Sequence, residues 1–330
     1  MRSIRLSVLF VLLATLPQLL AQSPQSLRLV NADSLNVWKS LHPLQPQQAV
    51  GFFLDVQELR ALLDQGQAIA LPNPEGQSTH MLLERHDVMA PELEKKYPGI
   101  GAWKGQAGKA SVRLDLGSQG LHVQVLGPNG SWYIDPVTQG DSQRYLCYTK
   151  ASSSNPHEFS CFTEEEALAW EEDSMNESLN PNGTALRTYR LALACTGEYA
   201  NYHGGTTTSV LSAMNTAMNR VNGIYARELA VEMILIPNND QLIFFDAGND
   251  PYSNNNGFSM LGENQSTVDQ IIGSNNYDIG HVFSTGGGGI ANLASVCTND
   301  KAEGVTGLGN PIGDPFYVDY VAHEMGHQFN

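Results

Sequence analysis

The sequence is short of positive charge: 18 Lys and Arg stand against 34 Asp and Glu, a formal net charge of −16, and no basic block or stripe offsets it. A nucleic-acid backbone or an anionic membrane calls for clustered cations, so neither is an expected partner. Beyond the N-terminal segment no run approaches the ~20 apolar residues that a spanning helix needs. No internal repeat is visible, which removes solenoid architectures. Cysteine is scarce, and Cys147, Cys161, Cys195 and Cys297 do not have zinc-finger spacing. In an oxidising compartment four cysteines favour disulfides, with three pairings open.

What is present fits an exported, folded chain. A length of 330 residues with 42% hydrophobic content allows two domains with cores of their own. Arg2 and Arg5 precede an apolar run over 6–16, and Pro17 leads to a cleavage position after Ala21, the pattern of a secretory signal. Membrane association is not expected after its removal.

From 27 to 150 short β-like runs at 68–71, 81–84, 111–116, 121–126 and 132–134 alternate with turn signals, with one helix near 56–63. Residues 151–185 read as a linker, Ser-rich at first, then acidic and helical over 164–173. After it, 189–195 alternates in the strand period, with Tyr189, Leu191, Leu193 and Cys195 on one face. Val210, Met214, Ala217, Met218, Val221 and Tyr225 predict an amphipathic helix over 208–229. Runs at 231–236, 242–245, 278–284 and 290–296 predict strands, Ser266 and Asp269 predict a capped helix start, and Asp314-Pro315 opens a last helix. The fold class expected is α/β, an α+β mixed sheet behind a small β-rich domain.

The last helix carries the chemistry in His323-Glu324-Met325-Gly326-His327. Residues i and i+4 share a helical face, so both imidazoles reach one ion with Glu324 beside them. Zinc binds imidazole nitrogen, keeps a position open for water and lowers that water's pKa, and an adjacent carboxylate can accept its proton. Val318, Ala322, Met325 and Phe329 form an opposite, core-facing stripe. His203 and His281 fall in a turn and a strand and are not expected to be ligands.

These stretches, namely 189–199, 277–283, 289–297 with 304–306, and 322–329, resemble the reprolysin-like (adamalysin-type) zinc endopeptidases of the metzincin clan, and residues 50–150 are similar to the prodomains of bacterial members. The resemblance implies a signal peptide at 1–21, a β-rich prodomain at 22–150 acting as intramolecular inhibitor, a processing linker at 151–185 and a metzincin-like catalytic domain at 186–330. It further implies one catalytic Zn2+ on His323 and His327, Glu324 as general base, and protein or peptide substrates. Ile290, Ala291, Asn292, Leu293 and Ala294 would bind an extended substrate antiparallel along an edge strand. The family pattern continues H-E-x-x-H-x-x-G-x-x-H. Asn330 stands at its Gly position, so the third His and the Met turn are expected beyond it and the catalytic domain is expected to be incomplete.

Family prodomains can silence the metal with a Cys thiolate, which Cys147 or Cys161 could supply; a Cys147–Cys161 disulfide is the favoured expectation, leaving Cys195 to pair with Cys297. The stretch 249–256 is oxygen-rich enough for Ca2+, but a solvated turn is the expected reading. Sequons start at Asn129, Asn176, Asn182 and Asn264. The competing expectation is a metzincin-fold binding or adhesive protein, or an inactive fragment lacking the third ligand.

Overall fold

The structure, a computed structural model, describes residues 21–153, 161–163 and 185–329. Residues 1–20 of the expected signal, residues 154–160 and 164–184 of the expected linker with its acidic helix, and Asn330 lie outside the described residues.

The N-terminal part is one nine-stranded sheet. Its strands are β1 (Arg28–Leu29), β2 (Val50–Phe53), β3 (Ile69–Pro72), β4 (Ser78–Arg85), β5 (Gly101–Ala107), β6 (Ala110–Gly117), β7 (Gly120–Gly127), β8 (Gly130–Pro136) and β9 (Arg144–Thr149), in the order β1-β2-β9-β8-β7-β6-β5-β4-β3. Neighbouring strands are antiparallel, joined mainly by tight hairpins such as Gly108-Lys109, where a φ of +61° at Gly108 suits the turn. Helices α1 (Ala32–Leu41) and α2 (Val56–Asp64) are capped by the side chains of Asn31 and Asp55. Leu59 and Leu63 of α2 share a core with Val112, Leu114, Val123, Val125 and Ile134. A short helix, α3 (Pro91–Lys96), follows β4.

The alternate residues of the same strands, Arg113, Asp115, Gln124 and Asp135, are polar and nevertheless buried. They face the C-terminal part, where β10 (Arg187–Cys195) and α4 (Gly197–Tyr202) lead into α5 (Thr207–Glu228). Thr206 and Ser209 close a capping box at the start of α5. Its apolar stripe packs on the core, while Thr216 donates to Asp115 Oδ2 at 2.6 Å and Asn219 to Asp115 Oδ1 at 3.2 Å. Arg220 of α5 donates to Asp135 at 2.5 Å, and Arg113 to Glu232 of β11 (Val231–Leu235) at 2.6 Å. Polar faces on the two halves thus neutralise each other out of water.

Strand β11 opens the far edge of a five-stranded sheet, order β11-β10-β12-β14-β13, completed by β12 (Ile279–Ser284), β13 (Gly289–Ala291) and β14 (Gly304–Gly307). All neighbours are parallel except β13, which runs antiparallel to β14. Leu191, Leu193 and Cys195 share a core with α5, whereas Ala192, Ala194 and Val282 share one with α6 (Gly257–Ile271). Both edges of this sheet are bridged by N-terminal segments. Val88 O accepts from Leu235 N and Ala90 N donates to Leu235 O, each at 2.9 Å, while Cys161 bridges Gly289 at the other edge.

Several expected elements differ. Residues 242–245 are not a strand: a 3-10 turn over Asn239–Leu242 leaves only an isolated bridge from Ile243 to Cys195. Ser266 lies within α6, whose cap is Asn256, accepting from Ser259 N. Of the expected 290–296 strand only Ile290 and Ala291 lie in a strand, within β13 (Gly289–Ala291); Ala294 and the following Cys297 adopt φ of +50° and +64°. Asp314 does not cap the last helix, which starts after Ile312 as α7 (Gly313–Phe316), widens to a π turn over Tyr317–Ala322 and continues as α8 (His323–Phe329).

All four cysteines are free, in place of the expected pairs. Cys147 is sealed within β9 of the N-terminal core, whereas Cys161 lies at the edge of the other sheet. Cys195 is buried in the α5 core and Cys297 is exposed. Asn264 is fully buried, donating to Ala302 O at 2.6 Å and accepting from Tyr252 at 3.0 Å, so its sequon is closed to a glycan in the folded chain. Among the described residues no helix is long and apolar enough to cross a membrane.

Candidate metal centre

Helix α8 turns His323 to the surface, leaves His327 half-buried and buries Glu324 and Met325. Its inner face is fastened by a polar chain. Gln328 donates to Gly280 O at 2.9 Å, its Oε1 lies 2.8 Å from His281 Nδ1, and His281 Nε2 lies 2.8 Å from Thr306 Oγ1. Burial lowers the His281 pKa to about 4, so the ring is neutral, with Nδ1–H donating to Gln328 and Nε2 accepting from Thr306. Tyr225 of α5 donates to Ala322 O at 2.6 Å, giving a partner to a carbonyl in the widened turn. His281 therefore holds the helix against β12 and is not among the metal-facing groups.

The second half of the expected edge strand has a different task. Ala294 N donates to His327 O at 3.0 Å and Val296 N to Gln328 O at 3.1 Å. The loop after β13 turns from the sheet edge to make these bonds, so 292–296 leaves the strand. Of the five expected substrate-binding residues, Ile290 and Ala291 remain on the edge strand, while Asn292, Leu293 and Ala294 belong to this loop. Asn292 also holds Glu303 at 3.0 Å.

His323 Nε2 and His327 Nε2 lie 3.0 Å apart, and Cys161 Sγ lies 3.5 Å from His327 Nε2. One donor atom from each of the three residues falls within 4.8 Å of the others. A tetrahedral zinc with nitrogen at ~2.0–2.1 Å and sulfur at ~2.3 Å holds its ligand atoms roughly 3.3–3.6 Å apart. The donor set and its span fit such an ion. Cys161 was open to this role in the sequence but stood second to a disulfide.

Glu324 borders the cluster. Its Oε2 accepts from Thr163 Oγ1 at 3.5 Å, and its buried Oε1 has no hydrogen-bond partner among the described residues. Burial pushes its carboxyl up to about 7, with hydrogen bonds from Cys161 and Thr163 pulling the other way. A side chain at Gly289 would collide with this carboxyl and with the Tyr320 ring, so only glycine lets the edge strand pass so close. Burial likewise raises the Cys161 thiol above its ordinary value; a cation between the three donors would displace its proton.

Residues 161–163 occupy that edge. Phe162 N donates to Gly289 O at 2.8 Å and Ala291 N donates to Thr163 Oγ1 at 3.0 Å. The segment runs parallel to β13, opposite to the antiparallel course expected of a substrate. The oxygen-rich stretch at 249–256 is committed to its own turns. Asp250 accepts from Gly197 N and Tyr252 N, at 2.7 and 2.9 Å, and Asn254 links Thr196 and Thr285. No Ca2+ site is assigned there.

Residues 211–330 match the reprolysin-like metallopeptidases of family M12B. The matched span runs from α5 through the edge strand to the histidine helix. No curated protein matches the chain by sequence. Among solved structures the chain is similar to metalloproteinase-II from Bacteroides fragilis, with 11% identity, a TM-score of 0.50, and coverage of 83% of this chain and 85% of that one. At that identity the likeness concerns the fold alone, a mixed α/β architecture. Residues 186–330 cannot supply 83% of the chain, so the likeness extends into the N-terminal sheet.

Proposed function

We propose that the chain is the latent precursor of a secreted zinc metalloendopeptidase, with residues 22–150 as prodomain and Cys161 as its silencing ligand. The observation that carries this reading is the convergence of His323, His327 and Cys161 beside the buried carboxyl of Glu324, on a helix matched to a metallopeptidase family. His323 and His327 would hold the ion, which when bound polarises the peptide carbonyl and acidifies water. Gly289 and Ala291 offer main-chain groups to an extended peptide and orient its scissile bond over α8. Glu324 accepts the proton of the attacking water and delivers it to the departing amine. Cys161 and Thr163 shield Glu324, and Phe162 fills the edge, so a substrate has no access until this segment leaves. Export rests on the basic and apolar pattern of residues 2–21.

The test uses the full chain with Cys161→Ala, assayed on a denatured protein. Cleavage is expected to rise over the parent. Adding Glu324→Ala should abolish it with the zinc content unchanged. Proteolysis that survives Glu324→Ala would remove the base, and a zinc-loaded, inert Cys161→Ala protein would favour the competing reading, a binding role for the fold or an inactive fragment lacking the third ligand.

A further inference from the structure

The cleft holds a side chain as well as a backbone. Phe162 sits with its ring 6.1 Å from that of Phe258, centroid to centroid, at an interplanar angle of 45°. Phe258 is the second residue of α6 and projects from the cleft rim, 64% exposed, whereas Met260 and Val268 of the same helix are buried in the core. Beneath Phe162 runs the Gly287-Gly288 backbone. Gly288 has a φ of +71°, and a Cβ there would stand 2.5 Å from Phe162 Cε2 and 3.3 Å from the Tyr320 hydroxyl. The absent side chain at 288 makes the room that the ring uses. A large aromatic held so far out of the core contributes little to folding, but it offers an apolar wall beside the catalytic edge.

We propose that Phe258, the Gly287-Gly288 backbone and Tyr320 form a specificity subsite that selects peptides carrying an aromatic or large aliphatic side chain near the scissile bond, the place Phe162 fills in the precursor. This rests on the proposed peptidase activity and adds its substrate class. Direction fixes which residue enters. Reversing a strand while keeping its N–H on the same carbonyl turns its side chain to the other face of the sheet. A substrate antiparallel to β13 therefore presents to Phe258 a neighbour of the residue that donates to Gly289 O.

The full chain carrying Cys161→Ala and Phe162→Ala vacates the subsite without cutting the chain. It is given host peptides in which one Phe is moved through successive positions around the scissile bond, with Ala as reference. At one position Phe should raise kcat/KM about tenfold over Ala, through KM, as half-burial of a phenyl ring implies. Adding Phe258→Ala should bring that ratio near parity. A ratio that survives Phe258→Ala, or that is flat at every position, overturns the subsite. If no peptide is cut by any variant, the peptidase reading fails instead, and the subsite is judged on the chain's own segment by the alkylation rate of Cys161 in the metal-free parent, Phe162→Ala, Phe258→Ala and double-variant chains. Both single variants should speed alkylation by roughly three- to tenfold, with the double variant no faster. Rates indifferent to Phe258, or singles that multiply in the double variant, overturn it.

Discussion

Removing the Asp135 carboxylate should loosen the two halves of the chain more than any loss of apolar contact of similar size. Asp135, on β8, accepts from Arg220 and Tyr148 at 2.5 Å each and from His122 at 2.6 Å, and these charges hold its carboxyl far below the ordinary range. Arg220 is only 1% exposed and lies over the rings of Tyr133 and Tyr317, at 5.0 and 5.5 Å. A guanidinium cannot give up its proton, so Asp135→Ala strands it. Stranding one member of a buried pair costs about 3–5 kcal/mol. Asp314, 3.6 Å from Arg220, compensates in part, which places the expected loss near the lower end, about 3 kcal/mol. Replacing both charges, as Asp135→Leu with Arg220→Met, should recover all but about 1 kcal/mol, because the desolvation cost goes with the charges. Urea unfolding of the full chains, followed by circular dichroism, measures both. A loss under about 1 kcal/mol for Asp135→Ala, or a double variant no better than the single, would refute the claim that this pair is dry and mutually dependent.

Acid should weaken the same interface. Burial lowers His42 and His281 from 6.5 to about 4 and His203 from 6.5 to about 3, so below pH 6.5 the unfolded chain binds three protons that the folded chain refuses and stability falls; Asp314, raised by burial from 3.8 to about 6, and Glu324, raised from 4.5 to about 7, take protons first in the folded chain and offset two of them. The net expectation is a loss of about 1.4 kcal/mol per pH unit between about pH 6 and 4, with no contribution from these histidines above pH 7, read from urea midpoints against pH. Stability unchanged across that window would contradict the buried neutral assignment. Asn264→Ala should cost about 1 kcal/mol by removing its bonds to Ala302 O, which still accepts from Gly304 N, and from the Tyr252 hydroxyl, read from urea midpoints, and a glycosylating host should leave Asn264 bare; mass spectrometry of the folded, secreted chain checks the second point.

The sequence shows most plainly those features that repeat locally. The histidine helix, the period of α5 and the alternation of β10 are visible because each rests on the 3.6- or 2-residue rhythm of one segment. Strands β2, β5 and β9 carry glycines or charges that blur the alternation, and they are held by neighbours on both sides. The polar alternates Arg113, Asp115, Gln124 and Asp135 carry no local mark of burial; their burial against α5 depends on a partner about a hundred residues away, and the partner is polar too. Residues 290–296 look like one strand because the bonds from Ala294 N and Val296 N to His327 O and Gln328 O join segments some thirty residues apart and are invisible locally. Cys161 is the sharpest case: nothing near it in sequence marks a metal ligand, and only the return of the chain along β13 brings its sulfur to His327.

The decisive measurement is the optical spectrum of the full chain loaded with one equivalent of Co2+ in place of zinc. Coordination by two imidazoles and the Cys161 sulfur predicts a thiolate-to-metal charge-transfer band that vanishes in Cys161→Ser and a metal stoichiometry that collapses in His323→Ala with His327→Ala. A cobalt complex without that band, or one-to-one binding that survives loss of both histidines, would contradict the centre described here.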